Sequence, residues 1–334
     1  MKDLIQKLTQ AYGPSGHEQQ IRQLIRQEIR GYADEIRTDA LGNLIALKRS
    51  AQKAGKGGKV MLAAHMDEIG VMVSHVDERG FCRFTNIGGV FPLNVLGGRV
   101  VFGNGMIGVV GIETKRLDRT KTPTLDQLFI DVGATDKKSC PVKVGDAAGF
   151  TRPFEDMGNR LVSKTMDDRI GCAVIIETLR KLKNSPHEVY FVFTVQEEMT
   201  LAGAGTSAYG INPDMALAVD VTGVGDTPEA THMNMALGNG PAIKVQDSGM
   251  VAHGGVKNLM VKRAEQARLP YQMEVLPAGT TDAKAMQMVR EGVPSGCLSI
   301  PCRYIHSPSE MVDYDDVQNS VKLLLAILGK PIEL

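Results

Sequence analysis

Residues 191–198 read Phe-Val-Phe-Thr-Val-Gln-Glu-Glu, an apolar and β-branched run that ends on two adjacent glutamates. The run has the pattern of a buried strand, and carboxylates are mostly exposed rather than buried. Neighbouring residues of a regular strand face opposite ways, so Glu197 and Glu198 share one task only if the chain bends there. In open α/β sheets the rim where strands end is where ligands bind. A solvated strand end is the competing reading of this pair taken alone, and the rest of the chain decides between the two.

The same design recurs elsewhere. Residues 60–64 are wholly apolar, as expected for a strand in a sheet covered on both faces, and they run into His65-Met66-Asp67. His65 and Asp67 lie on one face if the chain stays extended, which lets the carboxylate orient the imidazole, as around metal-bound histidines. An isolated H-x-D also arises from solvation alone. Residues 215–219 form another apolar strand, followed by Asp220, and the stretch CLSIPCRYIHSPSE gives a last strand that ends near His306. Asp167 and Asp168 precede an apolar helix expected over residues 170–182, where they serve equally well as caps.

Around these strands the chain alternates strand and helix, which predicts an α/β protein with a mixed sheet and helices on both faces. Residues 3–10 and 18–30 have helical periodicity, with Ser15 and Glu18 placed for a capping box. A loop is expected at residues 55–58. Asp282 is placed to cap a helix over residues 281–290, and Gly329 to end the closing helix. From about residue 71 to residue 160 the texture changes to short β-rich runs rich in glycine, the pattern of a small inserted barrel or sandwich. His75 sits on an alternating strand there and reads as structural. The expected organisation is a discontinuous catalytic domain, 1–70 and 161–334, interrupted by a β-rich domain, 71–160. A chain of 334 residues exceeds the ~250–300 at which single cores tend to split.

Composition narrows the function. Hydrophobic residues at 43% and charged residues at 23%, with zero net charge, describe an ordinary globular protein with no basic patch for nucleic acid and no charge run for an acidic membrane. No run approaches the ~18 apolar residues of a membrane span, and the amphipathic start is unlike a signal peptide, which predicts a cytoplasmic protein. Five cysteines without CxxC spacing suit reduced thiols packed in the core.

The strand-end residues His65, Asp67, Asp167, Glu197, Glu198, Asp220 and His306 form a set of imidazoles and carboxylates without thiolate. Such donors suit zinc, cobalt or manganese in a catalytic site, and one bridging carboxylate makes the set sufficient for two ions ~3.5–4 Å apart. A glycosidase with paired carboxylates is disfavoured by the lack of tryptophan and by histidines it does not need. A non-catalytic metal binder leaves the extra glutamate without a task.

The segments AAHMDEIG (63–70), KTMDDRIGC (164–172), TVQEE (194–198), LAVDVT (217–222) and RYIHSPSE (303–310), with PSGHE (14–18), occur in one order. In that order they resemble the signature segments of the tetrahedral aminopeptidase family, dinuclear metallopeptidases that include glutamyl and deblocking aminopeptidases. The resemblance spans essentially the whole chain. It implies that His65, Asp167 and Asp220 hold one ion while Asp167, Glu198 and His306 hold the other, with zinc or cobalt first and manganese also compatible. It further implies that Glu197 is the general base, that Asp67 orients His65, and that the insert is a PDZ-like domain through which subunits assemble into dimers or up to dodecamers. Peptides are the implied substrates. A deacylase or carboxypeptidase on the same metal core remains the alternative. Lys284, where a small residue is common in the family, and the AHGG stretch around His253 depart from its usual texture and leave side-chain preference open.

Overall fold

The computed structural model describes residues 1–51, 57–115, 118 and 120–334. The loop expected at residues 55–58 lies partly outside them. The larger body is built on an 11-stranded sheet. At its centre the strands Glu188–Thr194, Lys59–His65, Met215–Thr222 and Ser295–Arg303 run parallel and side by side. Leu44–Lys48 pairs antiparallel with Glu188–Thr194, which makes the sheet mixed.

The wholly apolar strands are explained by two separate cores. Val60, Leu62, Phe191, Phe193, Leu217 and Val219 enter the first, together with side chains of the helices Met166–Lys181 and Tyr314–Leu328. Met61, Ala63, Val192, Ala216 and Ala218 point the other way and meet the helices Ala202–Ile211 and Asp282–Gln287. Burying each of the larger side chains contributes about 1.5–3 kcal/mol. The expectation of a mixed sheet covered on both faces holds.

Register opens the cleft. Lys59–His65 stays paired with Glu188–Thr194 as far as His65 and Thr194, but its pairing with Met215–Thr222 stops at Ala63 and Ala218. Beyond that point the two strands part, and both His65 and Asp220 lie past the last pair. Met215–Thr222 stays paired on its other side with Ser295–Arg303, through Asp220 and Ser299 to Thr222 and Pro301. Asp220 is therefore inside a strand that runs longer than the apolar pattern indicates.

The strands Gly70–Val76, Cys82–Ile87, Leu128–Asp131, Ile107–Ile112, Arg99–Phe102 and Ala147–Thr151 close into a barrel. Its own core includes Val71, Val73, Phe84, Val100, Phe102, Ile130 and Phe150. The next strands, Glu155–Met157 and Arg160–Ser163, join the large sheet beside Glu310–Asp313. His75 is exposed on the barrel. All five cysteines are free thiols, and no helix among the described residues is long and apolar enough to cross a membrane.

Two local readings are corrected. Ser15 and Glu18 make no capping box: the Glu18 carboxylate accepts from the backbone N–H of Gly16 and, across the fold, from that of Gln196. Asp282 does not cap its helix, because the Thr281 side chain accepts from the N–H of Ala283. Asp282 is buried and accepts instead from the Thr194 hydroxyl.

Candidate functional site

The strand holding residues 188–194 ends before the glutamates. Gln196 then takes a left-handed conformation, φ 56°, and Glu197–Thr200 forms one helical turn. This is the bend the adjacent glutamates require, and Asp67 fixes it by accepting from the backbone N–H groups of Glu197 at 3.0 Å and Glu198 at 3.1 Å. The same carboxylate is 3.6 Å from His65 Nδ1, beyond hydrogen-bond range. Left-handed backbone also occurs at Thr165, φ 60°, and His306, φ 61°. Each such non-glycine position costs on the order of 1–3 kcal/mol and is typical of functional sites.

Asp167 sits between the two histidines. Its Oδ1 is 2.9 Å from His65 Nε2, and its Oδ2 is 3.4 Å from His306 Nε2. Glu198 Oε2 lies 3.3 Å from His306 Nε2, whereas Asp220 Oδ1 and Glu197 Oε2 are each 3.9 Å from His65 Nε2. Ligand atoms of His65, Asp168 and Asp220 fall within 4.8 Å of one another, as do those of His65, Asp167 and Glu198. The structure thus brings together His65, Asp67, Asp167, Glu197, Glu198, Asp220 and His306.

Charge is strongly perturbed here. Burial, reinforced by Asp167 and Asp282 and opposed by His65, pushes Asp220 up to about 8. Burial also raises Glu197 well above its usual value, with Asp220, Asp282 and Glu198 adding to it against the pull of His65. For His306 burial works against the charged ring, yet Asp167 and Glu198 outweigh it and carry the pKa up to about 11. Asp167 moves down despite burial, held by the two imidazoles. Carboxylates outnumber imidazoles in a buried space, a conflict that divalent cations remove. Glu198 Oε1, buried without a hydrogen-bond partner among the described residues, offers a further lone pair.

Sequence reading missed the buried residues that hold these groups. Glu310 accepts from the N–H groups of Asp167 at 2.9 Å and His306 at 2.8 Å, linking two candidate ligands. Asp168 accepts from the His65 N–H at 3.2 Å. Glu68 is gripped by Lys164, Thr165 and the N–H of Gly13. The signal was that Glu68, Lys164, Asp168 and Glu310 all fall inside the quoted segments.

From the barrel, Asn94 donates to the carbonyl of His306 at 3.1 Å, and a side chain at Gly89 would collide with the His306 ring. The site opens into a cleft of about 620 Å³ whose lining includes His65, Asp167, Glu197, Glu198, Asp220, Lys284 and His306. His253 is exposed and outside that lining. Another cleft, of about 560 Å³, lies between Tyr12, His17 and the barrel and contains none of the candidate ligands.

A mixed α/β sheet with one buried and one half-buried imidazole among carboxylates at its strand ends defines a class of hydrolytic enzyme in which metal chemistry is the natural use of the donors. The profile of the M42 glutamyl aminopeptidase family matches residues 42–323. The lysyl aminopeptidase of Pyrococcus furiosus is 34% identical over 99% of this chain and 98% of its own length. The structure of aminopeptidase APDkam598 from the archaeon Desulfurococcus kamchatkensis matches with a TM-score of 0.93 and 42% identity, covering 98% of this chain and 94% of that one. That of the Pyrococcus horikoshii TET1 peptidase, described as assembling into a tetrahedron or a large octahedral shell, matches at 0.89 and 30% identity, over 98% of this chain and 99% of that one. The chain belongs to the M42 glutamyl aminopeptidase family and is a peptidase.

Proposed function

We propose that the protein removes N-terminal residues from peptides using two divalent ions, zinc or cobalt first and manganese also compatible. His65, Asp167 and Asp220 hold one ion; Asp167, Glu198 and His306 hold the other. The observation that carries this reading is the placement of the two Asp167 oxygens toward different histidines, 2.9 Å from His65 and 3.4 Å from His306. Bound there, the ions supply a water of lowered pKa and an electrophilic contact for the carbonyl oxygen. Glu197 takes a proton from the attacking water and returns it to the leaving amine. Asp67 keeps Glu197 in place through the backbone of its turn, and Glu310 ties Asp167 to His306. The surrounding carboxylates attract the α-ammonium group of a peptide.

The test is a peptide with a free N-terminus beside its N-acetylated copy, incubated with the zinc- or cobalt-loaded enzyme and followed by mass spectrometry. The expected result is stepwise loss from the free N-terminus and an intact acetylated peptide. Loss from the C-terminus, or release of the acetyl group alone, replaces this reading with carboxypeptidase or deacylase.

Self-association through residues 71–160 belongs to the same proposal. Phe91, Leu93, Ile107 and Val109 expose apolar side chains on or beside the barrel, a liability for a monomer. Light scattering at micromolar concentration is expected to give an oligomer; a monomer ends this part of the proposal.

A further inference from the structure

The strands Cys82–Ile87 and Leu128–Asp131 meet at the narrowest seam of the barrel. Among the described residues a single register pair joins them, Cys82 with Ile130. On their other sides each is paired along its length, Cys82–Ile87 with Gly70–Val76 and Leu128–Asp131 with Ile107–Ile112. At that seam the Sγ atoms of Cys82 and Cys140 lie 3.8 Å apart. Cys82 is buried, whereas Cys140 is half-buried and lines the cleft of about 560 Å³ between the barrel and Tyr12.

Two turns set the pair in place. Asp77 accepts from the N–H groups of Arg79 at 2.9 Å and Phe81 at 3.0 Å, which shapes the turn that leads into Cys82. Before Cys140, the Asp136 carboxylate accepts from the N–H of Ser139 at 2.8 Å, and the Ser139 hydroxyl oxygen accepts from the N–H of Asp136 at 3.1 Å. The turns pack on each other. The N–H of Lys137 donates to the carbonyl of Glu78 at 3.3 Å, and a Cβ added at Gly80 would lie 2.6 Å from that of Ala134. Sulfurs held in this way close from 3.8 Å to the ~2.05 Å of a disulfide by side-chain rotation. Burial, then the neighbouring Cys140, pushes the Cys82 thiol up to about 12, so the first attack on an oxidant falls to Cys140, the member of the pair that the cleft reaches.

We propose that Cys82 and Cys140 are a peroxide-responsive pair whose disulfide staples the barrel across its narrowest seam. The Cys140 thiolate attacks a peroxide oxygen, the O–O bond breaks, and a sulfenic acid forms as hydroxide leaves and takes up the proton that Cys140 gave up. The Cys82 sulfur then attacks the Cys140 sulfur: the S–S bond forms, the S–O bond breaks, and the Cys82 proton leaves with the hydroxyl group as water. In total two thiols and one hydrogen peroxide give one disulfide and two waters. The cross-link closes a loop across 58 positions that contains the strands Arg99–Phe102, Ile107–Ile112 and Leu128–Asp131, so it removes freedom from the unfolded barrel. This proposal is independent of the metallopeptidase reading.

The experiment treats the full-length chain as purified, and its Cys140→Ser and Cys82→Ala variants, with hydrogen peroxide, blocks the remaining thiols, and maps the peptides without reduction. The expected result in the wild type is a peptide pair joined through Cys82 and Cys140 and lighter by two hydrogens. Its melting temperature rises by at least about 5 °C over the reduced chain, amide exchange slows in Leu128–Asp131, and dithiothreitol reverses all of these changes. Neither variant gains the cross-link or the shift. Cys140→Ser, at the half-buried position, is the control where Cys82→Ala disturbs the barrel core, and it also subtracts the effect of methionine oxidation. Thiols left unreacted, a sulfinic acid at Cys140, or a disulfide between two copies of the chain each overturns the proposal. So does a Cys82–Cys140 cross-link that leaves melting and exchange unchanged.

Discussion

Glu197→Gln is expected to lower turnover by about 10²- to 10⁴-fold, the usual cost of losing a general base, while metal content stays at the wild-type level. The substitution keeps the size of the side chain and the turn that Asp67 holds by its backbone N–H groups. It removes only the ability to accept and return a proton. In the metal-free chain burial, with Asp220, Asp282 and Glu198 against the pull of His65, raises this carboxylate well above its usual value. Glu198→Gln is expected to behave differently, because Glu198 lies 3.3 Å from His306 and shares that ligand group. As a candidate ligand it is expected to lose part of its metal and regain part of its activity when metal is added in excess. Steady-state kinetics and elemental analysis on both variants separate the roles. If Glu197→Gln loses an ion and Glu198→Gln keeps both, the two glutamates exchange functions.

Stripping divalent ions with a chelator is expected to reduce hydrolysis to background, with recovery on adding zinc or cobalt. The physical cause is the excess of buried carboxylates around His65 and His306, which holds Asp220 and Glu197 above their ordinary pKa range. Ions that bind the folded chain at a hundredfold excess over their Kd each add about 2.7 kcal/mol of stability. The stripped protein should therefore also melt at a lower temperature. Full activity in protein shown to be metal-free by elemental analysis would remove the metallopeptidase mechanism, and the glutamate roles would need a new basis.

The central strands were legible because parallel strands buried on both faces must be apolar throughout. Residues 60–64 and 215–219 have no polar face to disguise them, and the first charged residue after each becomes conspicuous. Glu197 and Glu198 stood out for the same reason. Residues whose roles depend on distant partners were not legible. Glu18 looked like half of a capping box because Ser15 is three residues away, yet its carboxylate also serves the N–H of Gln196, 178 residues on. Glu310 and Glu68 fall inside the quoted segments, but the residues next to them do not show that they are buried among candidate ligands and cations. Asp282 looked like a cap, and only the folded chain shows Thr281 taking that place and Asp282 turning to Thr194. The barrel's β-rich texture could be read, but its closure could not. That depends on Gly70–Val76 meeting Ala147–Thr151, a pairing no local pattern encodes.

The contact between the barrel and His306 changes what kind of object the insert is. Gly89 leaves the space in which the imidazole lies, Gly88 lies directly against Glu198, and Asn94 holds the His306 carbonyl from 212 positions away in sequence. An insertion tied to its host only at its two ends could be cut out and replaced by a short linker without disturbing what the host does. This one could not, because its excision would remove a wall from beside two candidate ligands. Nor can the centre be complete in a chain whose barrel is unfolded, so proteolytic nicking or misfolding of residues 88–94 is an injury to the active site even though every candidate ligand lies elsewhere in the sequence.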